Sequence, residues 1–232
     1  IAHEVRNLLG GMELFCGLLS EDLSDRPKSQ EYLGRVRREL AQLTRVVNDF
    51  LEYARRQPLA WTRFGANELL SDVSELLSAD FDCALRVDVD NSLELTADRD
   101  KLHRVIINLV RNAGQATAVD GEIVLSARVV EGPGDLHELR EYSSQSVVWE
   151  AGADKWRGVF IADTGCGIQE DKLAGVLEAF YTTKEKGSGL GLALATKILE
   201  EHGGGLGMAS TVGQGTGVGV LIPFKDELER EK

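Results

Sequence analysis

The N-terminal part of the chain carries apolar residues at alternating steps of four and three, the heptad spacing of helices that pack into a coiled coil or bundle. The pattern begins with Ile1, Val5, Leu8, Met12, Phe15 and Leu19. It breaks over 24–28, at Pro27, and resumes with Leu33, Val36, Leu40, Leu43, Val47, Phe50 and Ala54. Two such helices with a short connection predict an antiparallel hairpin. One hairpin leaves its apolar stripe half covered, so we expect a homodimer in which two hairpins form a four-helix bundle.

From about Trp61 the pattern changes to mixed helices and strands, after Pro58 has ended the second helix. Helical spacing predicts helices over 67–78, with Asn67 as the N-cap, over 98–117 and over 189–201. Alternating or continuous apolar runs predict strands over 85–89, 122–130 and 158–162 and a terminal hairpin over 206–224. The segment 131–156 is long for a strand connection, and 146–150 could pair with 155–161 inside it.

Charge and composition narrow the possible partners and the compartment. The net charge of −12 and the pI of about 4.9 would repel nucleic acid and anionic membranes, so we expect neither nucleic-acid binding nor direct membrane contact from this segment. Cys16, Cys83 and Cys166 lie far apart, which fits a reducing cytoplasm and packing roles for all three. The chain starts at Ile1, so we expect a fragment of a longer protein, and a cytoplasmic location also fits the inner part of a membrane-anchored sensor.

Two asparagines share one face of the helix predicted over 98–117. Asn108 and Asn112 are four residues apart, so both amides point the same way. Side-chain carbonyl oxygens are hard ligands that suit Mg²⁺, which takes its remaining ligands from water and phosphates. The pair alone fits two solvent-facing asparagines better, so it needs support from elsewhere in the chain.

Further candidate nucleotide contacts lie in glycine-rich segments. Asp163 follows a predicted buried strand and could accept a hydrogen bond from an adenine amino group, while Gly165 and Gly167 let the backbone approach the ring. The run from Gly187 to Gly191 opens a helix whose N–H groups suit phosphate. Thr216 offers a hydroxyl just before the last strand. Each segment alone could be an ordinary turn, and their positions do not fit a Rossmann or P-loop motif.

The order of these four clusters resembles the GHKL ATPase superfamily of gyrase, histidine kinases and MutL-type proteins. The resemblance covers about 61–224 and implies an α/β sandwich, with a mixed sheet on one side and helices on the other, that binds ATP and Mg²⁺. The segment from Phe180 to Lys184 is similar to the F-box and ATP lid of sensor kinases. The implied ATP-binding residues are Asn108, Asn112, Gln115, Asp163, Gly165, Gly167, Ile168, Phe180, Thr183, Lys184, Gly187, Ser188, Gly189, Leu190, Gly191 and Thr216, with Asn108 and Asn112 holding Mg²⁺.

The start of the first helix, His3-Glu4-Val-Arg-Asn7, resembles the H-box of histidine kinases, in its nitrogen-regulation-like form. If Val5 and Leu8 are the a and d positions, His3 falls at f, on the exposed side of the helix. The resemblance implies that His3 is the phosphoacceptor. Glu4 would take a proton from the imidazole, and Asn7 would position a water for a phosphatase reaction.

The chain is therefore expected to be an α+β protein: a helical hairpin followed by a GHKL ATP-binding domain. We expect a dimerisation and phosphotransfer hairpin over 1–57, a linker over 58–63, a catalytic ATP-binding domain over 64–225 and a tail over 226–232. The expected function is ATP-dependent autophosphorylation on His3 and transfer to an aspartate of a response regulator receiver domain, with phosphatase activity. Two alternatives stay open: a GHKL-type ATPase or serine kinase, and a non-enzymatic ATP-binding scaffold.

Overall fold

The structure, a computed structural model, describes residues 2–54, 58–131, 156–173, 175–182 and 189–223. Side chains at 2–6, 45, 49 and 52 are outside the description as well. The strand predicted over 146–150 and the tail predicted over 226–232 lie outside the described residues.

The N-terminal unit is the predicted helical hairpin. Helix α1 spans Ala2–Asp22 and helix α2 spans Pro27–Ala54. The second helix begins inside the predicted break, because proline is tolerated in the first turn, where its missing N–H would have no helical partner. Gln30, in the first turn of α2, closes the connection by accepting a 2.9 Å hydrogen bond from the Ser20 hydroxyl.

The second unit contains a five-stranded mixed sheet in the order β2-β4-β5-β7-β6. Its strands are β2 (Ala84–Val89), β4 (Glu122–Val130), β5 (Trp156–Asp163), β6 (Gly205–Thr211) and β7 (Gly215–Pro223). The pairing of β2 with β4 is parallel, and the other pairings are antiparallel. Strand β4 has the predicted bounds, and β5 extends its prediction at both ends. This sheet confirms the mixed sheet implied by the resemblance.

Three helices cover one face of this sheet: α3 (Ala66–Leu77), α4 (Arg99–Ala116) and α6 (Gly191–Glu201). Each helix packs its apolar face against the inward-facing residues of the strands, and together they form one hydrophobic core. A short helix, α5 (Glu170–Leu173), follows β5. The prediction that Asn67 caps α3 is wrong, because the N-cap is Gly65 and Asn67 instead donates a 2.7 Å hydrogen bond to the Asn91 side chain.

Two strands were missed by the sequence analysis. Strands β1 (Trp61–Gly65) and β3 (Glu94–Asp98) form a separate antiparallel pair. Strand β1 begins within the segment 58–63 that was predicted as a linker. Only Phe64 is buried in β1, and one buried residue gives no alternating signal in the sequence.

A buried histidine, His202, holds the residues at the start of the second unit in place. The Asp98 backbone N–H donates to His202 Nε2 at 3.0 Å, so Nδ1 carries the proton and donates to the Ile198 carbonyl at 2.7 Å. Burial lowers the pKa of His202, which agrees with a neutral ring. The Asp98 carboxylate caps α4 through Lys101 N and accepts from Ala60 N at 2.9 Å. The segment that leaves the hairpin is therefore tied to the first turn of α4.

Neither hairpin helix, nor any other helix in the described ranges, combines the length and hydropathy needed to span a bilayer.

The hairpin leaves a row of large apolar side chains in solvent. On α2 these are Val36, Leu43 and Phe50, each 48% exposed. The exposed large aliphatic and aromatic residues of α1 are Leu8, Met12, Leu14, Phe15, Leu18 and Leu19. Val36, Leu43 and Phe50 recur every seven residues, the repeat that packs helices into bundles. An exposed row of this size on a hairpin is typical of an interface between copies.

We predict that Leu43→Lys converts a dimer of about twice 25.3 kDa into a monomer, because a lysine charge would have to be desolvated inside the bundle. Sedimentation at micromolar concentration measures this. Leu76→Lys is the matched control, since Leu76 is 55% exposed on α3, outside the hairpin. A monomeric wild type, or a Leu43→Lys variant that stays dimeric, would contradict the prediction.

Candidate functional site

A cavity of about 900 Å³ lies between α4, the start of α6, the end of β5 and helix α2 of the hairpin. Three of its sides come from the second unit and one from the first. It is the natural candidate site, because it is large and concave and mixes apolar surface with a few directed polar groups.

One wall of the cavity is the exposed face of α4. Asn108, Asn112 and Gln115 all line it, as their spacing predicted. The start of α6 comes unusually close to this wall: a Cβ added at Gly191 would lie 2.6 Å from Asn108 Nδ2 and 2.7 Å from Oδ1. A side chain at this position would have to displace the Asn108 amide, so glycine permits the approach that sets the first N–H groups of α6 beside it.

The opposite end of the cavity contains the buried carboxylate of Asp163, the last residue of β5. Oδ1 accepts hydrogen bonds from Gly165 N at 2.8 Å and Thr216 N at 3.2 Å. Burial raises the pKa of this carboxyl, and the two backbone donors offset part of that effect. Among the described residues both hydrogen bonds go to Oδ1, so Oδ2 is the oxygen left to accept from a ligand.

A hydroxyl pair lies beside Asp163. Ser210 Oγ accepts from Ile168 N at 2.8 Å and donates to the Gly215 carbonyl at 2.9 Å. Because that uses its only proton, Thr216 Oγ1 must donate to Ser210 across their 2.9 Å contact. Thr216 therefore keeps its lone pairs and can accept a hydrogen bond from a ligand or a water in the cavity.

A backbone hydrogen bond joins the residues on either side of the segment 181–188. Phe180 N donates to the Gly189 carbonyl at 2.9 Å, and Gly189 has a φ of +65°. A Cβ there would lie 2.7 Å from the Phe180 carbonyl oxygen, so both the φ and the space require glycine. The two ends of the segment 181–188 are thus held together at the rim of the cavity.

The structure brings most of the predicted site residues together. The cavity is lined by Asn108, Asn112, Gln115, Asp163, Gly167, Ile168, Gly189, Gly191 and Thr216. Gly165 and Leu190 are buried behind it, and the Phe180 side chain is exposed outside it. Thr183, Lys184, Gly187 and Ser188 lie outside the described residues, as do the side chains of His3 and Glu4. Asn7 is exposed on α1 and is not among the residues that line the cavity.

Several lining residues were missed by the sequence analysis. Gln42, Val46 and Asn48 of α2 reach the cavity from the hairpin, which only the packing of the two units could reveal. Arg104 was detectable, since it lies four residues before Asn108 on the same helical face. The remaining basic and thiol groups of the lining are Arg111, Lys172 and Cys166. Cys166 is exposed, so a packing role for all three cysteines was wrong.

Two family models match this chain. The model described as histidine kinase-, DNA gyrase B- and HSP90-like ATPase matches residues 97–226, and the His kinase A (phospho-acceptor) domain matches residues 1–59. The first match contains the α4 wall, Asp163 and Thr216. The second contains the hairpin.

Curated relatives resemble the chain over nearly its whole length. The signal transduction histidine-protein kinase AtoS of Escherichia coli (strain K12) is 31% identical over 98% of the chain. Sporulation kinase E of Bacillus subtilis (strain 168) is 27% identical over 100% of it. The chain spans 34% of the first relative and 29% of the second.

Two solved structures share the fold over nearly the whole chain. Full-length ShkA in complex with AMPPNP matches with a TM-score of 0.75 at 26% identity, covering 96% of this chain and 44% of that one. The histidine kinase ThkA in complex with the response regulator protein TrrA matches with a TM-score of 0.64 at 27% identity, covering 99% of this chain and 61% of that one.

We predict that Asp163→Asn weakens ATP binding by at least about tenfold, roughly 1.4 kcal/mol. The amide oxygen would stay with the Gly165 and Thr216 N–H groups, which leaves an NH₂ donor facing the adenine amino donor. Calorimetry measures the change, with Asp88→Asn on the exposed edge of the sheet as the control. Unchanged affinity would contradict the prediction.

The same contact predicts a pH dependence. The pKa of Asp163 is raised, so on acidification its carboxylate becomes protonated at a pH above the ordinary range near 4. The protonated oxygen no longer accepts a hydrogen bond from the ligand. The ratio of wild-type to Asp163→Asn affinity, from which the titration of the phosphates cancels, should therefore fall as the pH is lowered toward that raised pKa. A flat ratio would count against Oδ2 as the acceptor.

Proposed function

This chain belongs to the histidine kinase-, DNA gyrase B- and HSP90-like ATPase family and, with its phospho-acceptor domain, to the two-component sensor histidine kinases within it, and we propose that it uses ATP to phosphorylate its own His3 and passes the phosphoryl group to an aspartate of a response regulator. The observation that carries the proposal is one cavity bordered both by the ATP-binding elements and by the hairpin that bears His3. The hairpin over 1–57 is the acceptor unit and 64–225 the ATP-binding unit.

The nucleotide lies along α4 in this proposal. Its adenine end is at Asp163, where Oδ2 accepts from the amino group and Thr216 supports a hydrogen bond or a bridging water. Its phosphate end is at Gly191, where the N-terminus of α6 faces the cavity and offers N–H groups to anionic oxygens. Lys184 of the lid segment would add a positive charge near the γ-phosphate.

The residues present also fit Mg²⁺. Asn108 and Asn112 both line the cavity with amide oxygens, which are hard ligands, and the phosphates supply the rest of a mixed ligand set. The described residues contain no cluster of three or more His, Cys, Asp or Glu that could hold a metal. When bound, the ion would neutralise phosphate charge.

The reaction on His3 is an in-line displacement. A ring nitrogen of the neutral imidazole forms a bond to the γ-phosphorus, the bond from that phosphorus to the β–γ bridging oxygen breaks, and ADP leaves. The proton on the other ring nitrogen passes to Glu4, which keeps the ring nucleophilic. The phosphoryl group then moves from nitrogen to an aspartate carboxylate of the receiver domain and regenerates His3.

The partners follow from the same geometry and from the relatives. The exposed apolar row of the hairpin supports a homodimer with a four-helix bundle. A structural relative is solved in complex with a response regulator protein, which supports a regulator as the second substrate here. The net charge of −12 argues against a nucleic-acid partner. The cytoplasmic location expected from the cysteines stays a prediction.

We predict that His3→Gln abolishes acid-labile label transfer from γ-labelled ATP while nucleotide affinity stays within about twofold, because the proposal uses the imidazole as the phosphoryl acceptor and not as a ligand of the nucleotide. Autoradiography before and after acid treatment measures the first quantity, and calorimetry the second. His103 of α4 lies outside the hairpin and provides the matched control His103→Gln, which should keep the label. Acid-stable label would favour the ATPase or serine-kinase alternative, and nucleotide binding without any label the scaffold alternative.

We predict that Asn7→Ala leaves autophosphorylation within about threefold but lowers dephosphorylation of the regulator at least about tenfold. Asn7 is exposed one turn beyond His3 on α1, where its amide can orient a water toward an aspartyl phosphate docked on the hairpin. The decay of phosphorylated regulator measures the second activity. Equal losses in both activities would contradict a separate role for Asn7.

A further inference from the structure

The cavity has a direction that is set by helix α4. At its C-terminal end, the Ala116 carbonyl accepts from Cys166 N at 3.0 Å, next to the turn that follows Asp163. Eight residues earlier, about 12 Å along the axis, Asn108 meets the start of α6 at Gly191. The adenine end and the phosphate end therefore lie at two successive positions along the axis of α4. A nucleotide with its adenine at Asp163 would point its triphosphate toward the N-terminus of α4.

Arg104 occupies the next level in that direction. It lies one turn, about 6 Å, before Asn108 on the same face of α4, and its side chain lines the cavity. Gln42 and Val46 of the hairpin line the same cavity. The residue is thus placed beyond the Asn108 level, within the space that the ATP-binding elements share with the acceptor hairpin.

The end of a triphosphate needs a positive charge of this kind. The transferred phosphoryl group spreads negative charge over three oxygens, and an arginine fork can bind two of them at once. At the other end of the same helical face, the chain has the neutral Gln115. We propose that Arg104 is a catalytic residue whose guanidinium binds the γ-phosphate of ATP and stabilises its charge during transfer to His3; this rests on the function proposed above.

The other basic residues of the cavity lie at different levels. Arg111 is seven residues, two turns, further along α4, beside Asn112 and closer to the adenine end. Lys172 lies on α5, which follows the turn after Asp163. Neither is placed beyond Asn108. The proposal therefore predicts that these residues do not distinguish ATP from ADP, whereas Arg104 does.

The test compares ATP and ADP affinities by calorimetry, together with the initial rate of His3 labelling, for four variants of the full chain. Arg104→Ala should weaken ATP binding about tenfold, leave ADP binding within about twofold and slow labelling about 100-fold. Arg104→Lys should restore most of the preference for ATP but only part of the rate, because lysine keeps the charge and loses the fork. Arg111→Ala and the remote Arg86→Ala, whose side chain pairs with Glu122 on the sheet, should keep the wild-type ratio.

The retained ADP affinity reports that the Arg104→Ala variant is folded. An unchanged ATP-to-ADP ratio, or an equal loss for both nucleotides, would overturn the role of Arg104 in a wild type that binds and labels normally. A wild type that fails to bind ATP or to label His3 would instead overturn the proposed function.

Discussion

The buried carboxylate of Asp163 is the interaction on which the site depends. An ionised group is costly to bury, and among the described residues its compensation comes from two neutral backbone N–H groups on one oxygen. Those donors belong to the turn after β5 and to the start of β7, so the carboxylate holds the end of the sheet together. Its other oxygen keeps an unused capacity to accept, which makes this end of the cavity selective for a ligand with a donor.

The second constraint is the close approach of α6 to α4. Gly191 lets the first turn of α6 rest against the Asn108 amide, at a fixed axial distance from Asp163. In the proposed binding mode, that contact is the phosphate end and Asp163 the adenine end. The positions of Asp163, Asn108 and Arg104 along α4 would then set the orientation of the nucleotide.

Helix α2 contributes to two different surfaces. Val36, Leu43 and Phe50 leave an apolar row in solvent, whereas Gln42 and Val46 line the cavity of the second unit. At the end of α2, the Lys197 ammonium of α6 donates to the Tyr53 carbonyl and lies 5.0 Å from the Tyr53 ring. Val46 lies three residues from Leu43 and four from Phe50, so the cavity wall and the apolar row are direct neighbours on this helix.

Elements with a local physical signal could be predicted from the sequence. Heptad spacing predicted the hairpin, and the i, i+4 spacing of Asn108 and Asn112 placed both amides on one helical face. Features that depend on contacts between distant segments became visible only in the folded chain: the β1–β3 pair, the hydrogen bonds that occupy Asp163 Oδ1, and the contribution of α2 to the cavity wall. Short strands and cavity walls contributed by a second unit leave no period in the chain, because their partners are dozens of residues away.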